Sequence, residues 1–347
     1  MNAPLDFVST SRRVTHLLPT PIQLRKALPL SPQLAQRISE HRKTIEAILQ
    51  GVDPRFLVIV GPCSLHDTQS ALEYAERLKA LADRVGDQLF IVMRAYVEKP
   101  RTTVGWKGLL YDPHLDGSGD MSEGLRRSRE LMLAISQQGL PVATEILQPQ
   151  IAGYWDDLLS WAAIGARTTE SQIHREMVSG LDCAVGFKNG TDGSIDIACD
   201  AIQSAARPHQ HFALDELGRP ALAVTQGNPY GHLVLRGGHD GPNYHAPAVR
   251  KAREALHHQG LDARMIVDCS HANSGKDPLR QPEVFADVLR QRMAGEKSLR
   301  GVMLEGHLFS GNQKITKALK YGVSVTDACL GFEQTERLLL DAASLLR

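Results

Sequence analysis

Several cationic side chains of this chain stand directly after short apolar runs, where a β-strand would end. Arginine grips phosphate and carboxylate oxygens with two parallel hydrogen bonds, and lysine adds a compact positive charge. Taken singly, each residue is more often a solvated surface charge, but their shared placement favours one common site. Converging cations repel one another, so we expect a substrate with several negative charges, such as two phosphates and a carboxylate. The cationic set is Arg94, Lys99, Arg101, Arg167, Lys188 and Arg236.

A second set of polar residues combines one thiol, one imidazole and two carboxylates. This mixture of soft and hard ligands suits Mn²⁺, Fe²⁺, Co²⁺ or Zn²⁺. Their spacing carries little weight, because the four residues are far apart in the sequence. A lone cysteine is more often a small buried hydrophobic residue, and a lone histidine is more often a cap or core residue. The candidate metal ligands are Cys63, His271, Glu305 and Asp327.

The elements that must position these side chains alternate between short apolar runs and amphipathic helical stretches. The runs are continuously apolar, as strands buried on both faces are. Eight strands are predicted at residues 57–60, 90–93, 142–145, 162–165, 184–187, 232–235, 265–267 and 302–304. Helices are predicted at residues 71–81, 124–137, 151–159, 171–178, 195–206, 248–259, 282–293 and 332–345.

This alternation predicts an α/β fold, a (β/α)8 TIM barrel over residues 51–347, with the polar strand ends on one face. An inserted β-hairpin is expected before the sixth strand, at residues 212–214 and 221–224. Residues 1–50 are predicted to form an N-terminal extension, which consists of a proline-rich arm and a helix. The arm either packs on another surface or is partly disordered. Ser31 is its N-cap and Pro32 its first residue, and the helix runs to about Leu49 and stops at Gly51.

The composition excludes several classes of function. The 347 residues include 39 basic and 39 acidic side chains, so no bulk field favours a nucleic acid or a membrane as partner. Five cysteines without a CxxC pair argue against a secreted disulfide scaffold. The GxGxxG and GxxxxGKS/T motifs of nucleotide-binding folds are absent from the sequence. With neither a signal-peptide pattern nor an apolar run near the ~20 residues of a membrane span, we expect a cytoplasmic protein.

Seven segments of the chain carry long and rare motifs. They read GPCSLHD, RAYVEKPRTTVGWKGLLYDP, AIGARTTESQIHRE, VGFKNGTDGS, GHLVLRGG, DCSHANSGKD and YGVSVTDACLGFE. Together they resemble the type I 3-deoxy-D-arabino-heptulosonate 7-phosphate (DAHP) synthases of the microbial branch with an N-terminal extension, from about residue 31 to 340. The resemblance implies a metal-dependent condensation of phosphoenolpyruvate with D-erythrose 4-phosphate. This reaction is the first step of the shikimate pathway to aromatic amino acids.

The resemblance also implies a role for each matching residue. Cys63, His271, Glu305 and Asp327 would hold the metal; Arg94, Lys99, Arg167, Lys188 and Arg236 would bind phosphoenolpyruvate; Arg101 and Thr102 would contact the sugar phosphate, with Lys107 nearby. Catalysis is assigned to Lys99, Glu145 and His271, with Lys99 as the acid and Glu145 orienting the attacking water. Because Lys99 lies among other cations, we expect its pKa to be lowered.

Members of the family are often inhibited by one aromatic amino acid, at a pocket near the N-terminal arm, the segment after the third strand and the hairpin. Here Gly153 and Asp182 replace a common glutamine and a common serine, and segment 310–322 is shorter than in several relatives. The resemblance implies an aromatic effector, but these departures leave open which one it is; TQGNPYGH and DCSHANSGKD are closer to tyrosine- or tryptophan-sensitive relatives than to phenylalanine-sensitive ones. Relatives form homodimers or homotetramers, and the same is expected here.

Two alternatives remain open at the level of the sequence. A sister synthase applies the same phosphoenolpyruvate chemistry to arabinose 5-phosphate, although the KPRT and GWKG segments favour the four-carbon sugar. A silent barrel that only binds phosphorylated ligands is the other alternative. It would be signalled by loss of a metal ligand or a phosphoenolpyruvate contact, and none is lost.

Overall fold

A closed barrel of eight parallel strands forms the centre of the molecule. The structure is a computed structural model that describes residues 16–347, so the part of the predicted arm before residue 16 lies outside the described residues. Around the barrel the strands follow the order β1, β10, β9, β8, β5, β4, β3 and β2. They are β1 (Phe56–Gly61), β2 (Leu89–Arg94), β3 (Val142–Glu145), β4 (Leu159–Ile164), β5 (Ala184–Lys188), β8 (Gly231–Leu235), β9 (Met265–Asp268) and β10 (Leu299–Glu305).

Helices cover the outside of the barrel. In chain order they are α1 (Pro21–Ala27), α2 (Pro32–Gln50), α3 (Thr68–Val85), α4 (Met121–Gln137), α5 (Gln172–Val178), α6 (Asp196–Ala205), α7 (Ala246–His258), α8 (Gln281–Met293) and α9 (Phe332–Leu345). The inserted antiparallel hairpin consists of β6 (Gln210–Leu214) and β7 (Pro220–Val224). The predicted TIM barrel and the hairpin before its sixth strand are confirmed.

Helix α2 closes the end of the barrel at which the strands begin. Ser31 caps its first turn by accepting a hydrogen bond from Leu34 N at 3.2 Å, and Gly51 ends it in the left-handed conformation at φ 79°. Its residues Ile45, Ile48 and Leu49 are buried in one cluster with side chains of the barrel interior. A helix that seals one end leaves the other end, where the strands finish, open for chemistry.

One prediction for this part of the chain was wrong. Residues 151–159 were predicted to be a helix, but they form short 3₁₀ turns, Pro149–Tyr154 and Asp156–Leu158, before β4 begins at Leu159. These short turns therefore take the place of a helix in the crossover between β3 and β4. Within the predicted arm, Pro21–Ala27 is a helix whose Thr20 and Gln23 cap each other reciprocally. In the described part of the chain, no helix is long and apolar enough to cross a membrane.

Candidate active site

A cavity of about 250 Å³ opens at the carboxyl ends of the barrel strands. Polar side chains from the segments at or after the ends of seven strands line it, as expected for the catalytic face of a TIM barrel. It brings together most of the residues singled out from the sequence. These are Lys99, Arg101, Thr102, Glu145, Arg167, Lys188, Arg236, His271 and Asp327.

Three of the four candidate metal ligands form a compact group beside this cavity. One ligand atom each from Cys63, Glu305 and Asp327 lies within 4.8 Å of the others. Burial raises the pKa of the Cys63 thiol, and the carboxylates of Glu305 and Asp327 raise it further, whereas Lys99 lowers it. A thiolate and two carboxylates this close repel one another unless a cation lies among them. The donor set therefore fits a divalent transition metal.

His271 lines the same cavity as Asp327 but lies outside the three-residue group. Its Nδ1 is 2.9 Å from Oδ2 of Asp268, which leaves Nε2 for a ligand. Metal-binding histidines commonly donate their second ring nitrogen to a carboxylate in this way, which fixes the orientation of the ring.

Asp268 is a functional residue that the sequence reasoning missed. It ends β9, is fully buried, and contacts both Lys188 Nζ and His271 Nδ1 at 2.9 Å. Burial by itself would raise the pKa of Asp268, but His271 and Lys188 outweigh it and hold the pKa well below its ordinary value. The carboxylate thus orients two cavity side chains at once. Its position as the first polar residue after a strand was the available signal.

Arg94 lies beneath the cavity rather than in its lining. Its guanidinium is fully buried, pairs with Glu305 at 3.1 Å and stacks over the Tyr96 ring at 3.9 Å. Its Nη1 is buried and has no hydrogen-bond partner among the described residues. A buried unpaired donor of this kind is costly, so Nη1 is available for an oxyanion.

The prediction that neighbouring cations lower the pKa of Lys99 was wrong. Lys99 Nζ lies 3.2 Å from Cys63 Sγ and 3.1 Å from the Cys63 carbonyl oxygen. Burial lowers the pKa of Lys99, and so does Arg94, but the negative charges of Cys63 and Glu305 raise it to a net value above its ordinary one. The ammonium group is therefore held protonated.

The remaining predicted residues line either the main cavity or an adjacent one. Arg167 Nη2 donates to Thr102 Oγ1 at 3.1 Å, and Arg101 Nε donates to the Trp106 carbonyl at 2.8 Å. Lys107 does not reach the main cavity, because it lines an adjacent one of about 340 Å³. The structure thus groups Arg101 and Thr102 with the main site and leaves Lys107 beside it.

Glu145, the last residue of β3, lies against Gly165, which follows β4. A β-carbon on Gly165 would lie 2.2 Å from Glu145 Oε1, so a larger residue there would displace this carboxylate. The neighbouring Glu98 was also missed by the sequence reasoning. Its carboxylate is buried, accepts from Leu147 N and contacts the Tyr111 hydroxyl, each at 3.3 Å. Glu98 thus connects the Lys99 loop to the chain that follows Glu145.

Comparison with known proteins decides the family. The family model described as "DAHP synthetase I family" matches residues 30–340. The chain belongs to this family. The DAHP synthetase I resemblance read from the motifs is therefore confirmed.

Named relatives of this DAHP synthetase I chain include three from Escherichia coli K12, each called phospho-2-dehydro-3-deoxyheptonate aldolase. The Tyr-sensitive protein is 52% identical over 326 residues, 93% of this chain and 91% of that protein. The Phe-sensitive protein is 49% identical over 338 residues, 97% and 96% of the two chains. The Trp-sensitive protein is 49% identical over 329 residues, 94% of each chain.

A solved structure shows the same fold. The phospho-2-dehydro-3-deoxyheptonate aldolase from Francisella tularensis SCHU S4 matches with a TM-score of 0.94 at 41% identity. The match covers 96% of this chain and 98% of that one. The described barrel and its hairpin are thus the architecture of this family.

Proposed function

We propose that this chain condenses phosphoenolpyruvate with D-erythrose 4-phosphate and water, giving 3-deoxy-D-arabino-heptulosonate 7-phosphate and phosphate. It is a 3-deoxy-7-phosphoheptulonate synthase, the same enzyme as the phospho-2-dehydro-3-deoxyheptonate aldolases to which it is similar. One observation carries the proposal. The same cavity contains the cations Lys99, Lys188, Arg167 and Arg236 and also Asp327, which belongs to the group of three candidate metal ligands.

The cations of the cavity bind phosphoenolpyruvate, which carries a phosphate and a carboxylate. We assign this role to Arg94, Lys99, Arg167, Lys188 and Arg236. Arginine forks suit both anionic groups, and the unpaired Nη1 of Arg94 is a donor that awaits an oxygen. Arg101 and Thr102 bind the sugar phosphate, and Lys107 adds positive charge from the neighbouring cavity.

A divalent ion, Mn²⁺, Fe²⁺, Co²⁺ or Zn²⁺, would be held by Cys63, His271, Glu305 and Asp327. When bound, it supplies Lewis-acid polarisation of the aldehyde oxygen. The three grouped donors support this assignment, and we assign the fourth position to Nε2 of His271, whose Nδ1 faces Asp268. Asp268 orients His271 through its Nδ1.

The protein residues move protons and position the reactants. C3 of phosphoenolpyruvate attacks the aldehyde carbon, and the aldehyde oxygen takes a proton. Lys99 is suited to donate that proton, because its raised pKa keeps it charged until an alkoxide develops nearby. Glu145 orients the water that adds at C2, and the C2–O bond then breaks to release phosphate.

The reaction is tested by measuring phosphate release from phosphoenolpyruvate with erythrose 4-phosphate, before and after metal removal. We expect activity to vanish with a chelator and to return with Mn²⁺. Arabinose 5-phosphate in place of erythrose 4-phosphate should give little release. Preference for the five-carbon sugar would assign the sister activity, and no release with either sugar would contradict the proposal.

A second cavity supports feedback control by an aromatic amino acid. About 380 Å³ in volume, it lies between α1, the turns after β3 and the hairpin, and its lining includes Arg25, Gly153, Met177 and Phe212. Apolar walls beside a guanidinium suit an aromatic amino acid with its carboxylate. Asp182, the second residue that differs from the family pattern, lines an adjoining cavity of about 210 Å³. Tyrosine, tryptophan and phenylalanine should each be assayed; inhibition by none would contradict this proposal.

We also propose a homodimer or homotetramer built through the hairpin. In the described chain, both strands of the hairpin expose an apolar face that includes Phe212, Leu222 and Val224. An isolated two-stranded hairpin is only marginally stable in water, so burial against a second copy would stabilise it.

A further inference from the structure

A separate cavity lies at the opposite end of the barrel from the candidate active site. It measures about 410 Å³ and forms where the C-terminus of α2 meets the segments that lead into β9 and β10. Its lining is strongly charged and includes Arg253, Asp262, Arg264, Glu296, Lys297 and Arg300. Nothing in the proposed reaction uses this face, where TIM barrels ordinarily carry residues for stability.

Arg300 reaches this cavity through an irregularity in its strand. In the pairing of β10 with β9, Leu299 faces Met265 and Gly301 faces Ile266, so Arg300 is an extra residue. A bulge of this kind re-aims a side chain that regular pairing would direct elsewhere. The end of α2 also makes room, because a β-carbon on Gly51 would lie 2.6 Å from Arg300 Nη1.

The charges of the cavity do not balance. Glu296 is paired with Arg253, and Asp262 is paired with Arg264. Among the described residues, Arg300 forms no ion pair with a carboxylate, and its Nε is buried without a hydrogen-bond partner. Burial lowers the pKa of Arg300, and the positive charges of Arg292 and Arg264 lower it further. An anion in the cavity would accept a hydrogen bond from Arg300 and would reduce the repulsion between Arg300 and the neighbouring arginines.

We propose that this cavity binds the phosphate group of a small metabolite, with the Arg300 guanidinium as its principal ligand. A planar fork of donors matches phosphate oxygens, and Arg264 and Lys297 add positive charge on the same cavity wall. The volume leaves space for a small organic body beside the phosphate. Because this cavity lies at the other end of the barrel, its ligand is not a reactant. The bound ligand stabilises the packing of α2 against the barrel.

The test is protection of Arg300 against phenylglyoxal, with inorganic phosphate as the probe and the full-length protein as the sample. Modification of each arginine is followed by mass spectrometry of peptides, so Arg167 and Arg236 of the active site are measured separately. Relative to chloride at equal ionic strength, saturating phosphate should slow Arg300 modification about fivefold or more. Arg290, which is exposed on α8, should be unaffected. Equal rates for Arg300 with phosphate and with chloride would overturn the proposal.

A conservative variant separates binding by Arg300 from general screening. Arg300→Lys keeps the charge but loses the fork, so phosphate should protect the neighbouring Arg264 about fivefold less than in the unchanged protein. The matched control, Arg290→Lys, should retain full protection of Arg264. Full protection of Arg264 in Arg300→Lys would remove Arg300 as the ligand.

Discussion

At the scale of single residues, the site depends on opposite charges placed closer than the sequence can show. Lys99 sits against Cys63 and near Glu305, while Asp268 holds Lys188 and His271. Each of these side chains is therefore positioned by a buried partner. Lys99 leads to a prediction for catalysis, and the buried Glu98 leads to one for stability.

Replacing Lys99 by methionine should remove the proton donor while retaining most of the side-chain volume. We expect kcat to fall about 10²-fold to 10⁴-fold, the range for general acid–base catalysis. Phosphoenolpyruvate affinity should fall far less, because four other cations remain. The measurement is kcat for phosphate release together with the dissociation constant of phosphoenolpyruvate. Lys79→Met, on the outer face of α3, is the control, and near-normal turnover of Lys99→Met would remove Lys99 from the acid role.

Glu98 should make stability depend on pH near neutrality. Burial raises the pKa of Glu98 from 4.5 to about 7, although hydrogen bonds from Leu147, Gln148 and Tyr111 oppose the shift. The folded state thus keeps a proton that the unfolded chain releases, and this contribution to stability is full below about pH 4.5 and is lost as pH rises through about 7.

The check is the free energy of unfolding in urea for Glu98→Gln and the unchanged protein. From pH 5.5 to 7.5, the glutamine variant should gain about 2 kcal/mol relative to the unchanged protein, since one pKa unit corresponds to about 1.4 kcal/mol. Glu130→Gln, half-exposed on α4, should show no such gain. A constant difference between Glu98→Gln and the unchanged protein at both pH values would contradict the assignment.

At the scale of elements, the N-terminal helices are tied to the barrel by buried polar contacts as well as by apolar packing. Arg129 of α4 is fully buried; it pairs with Asp157 at 2.7 Å and donates to the carbonyls of Leu28 and Tyr154. Arg25 of α1 likewise donates to the Gly153 carbonyl. These contacts hold α1 against the turns after β3, where the proposed effector cavity forms.

Arg129→Met should destabilise the fold, because it leaves Asp157 without its partner and two carbonyls without a donor. The expected loss is about 3 to 5 kcal/mol in the free energy of unfolding. The double variant Arg129→Met with Asp157→Asn should recover part of this loss, since the stranded charge is gone. Urea unfolding of the double variant and of each single variant measures the coupling between the two residues. Additive losses from the two substitutions would show that the pair is not coupled.

At the scale of the whole molecule, the exposed apolar face of the hairpin bears on assembly. Phe212 and Leu222 face each other across β6 and β7, and roughly two thirds of each residue is exposed, 65% and 68%. Apolar area of this kind outside the core is typical of an interface. The hairpin also lines the proposed effector cavity, so assembly and effector binding would share one element.

Leu222→Asp should weaken the proposed oligomer about tenfold or more, because a buried carboxylate at an interface costs more than 1.4 kcal/mol. Light scattering coupled to size-exclusion chromatography, over a range of protein concentrations, measures the shift toward the monomer. Leu279→Asp, an equally exposed leucine away from the hairpin, is the matched control. An unchanged mass for Leu222→Asp would place the interface elsewhere.

The sequence by itself determined the barrel and the face on which the chemistry lies. Continuous apolar runs that alternate with amphipathic stretches favour strands buried on both sides. The ends of parallel strands meet at one rim, so Arg167, Lys188 and Arg236 were expected to converge. The cap signals at Ser31 and Gly51 likewise determined α2, because they act within the chain's own backbone. These are local rules, and they needed no tertiary information.

Only the tertiary structure decided features that depend on residues distant in the chain. Residues 151–159 were predicted to be a helix, but the structure has short 3₁₀ turns there, and β4 already begins at Leu159. The direction of the Lys99 pKa shift reversed because Cys63 and Glu305, which are remote in sequence, lie beside it. The contacts of Asp268 with Lys188 and His271, and the cavity at Arg300, likewise join residues that are distant in the chain. Electrostatic energy depends on distances through space and on burial, and both are defined only once the barrel closes.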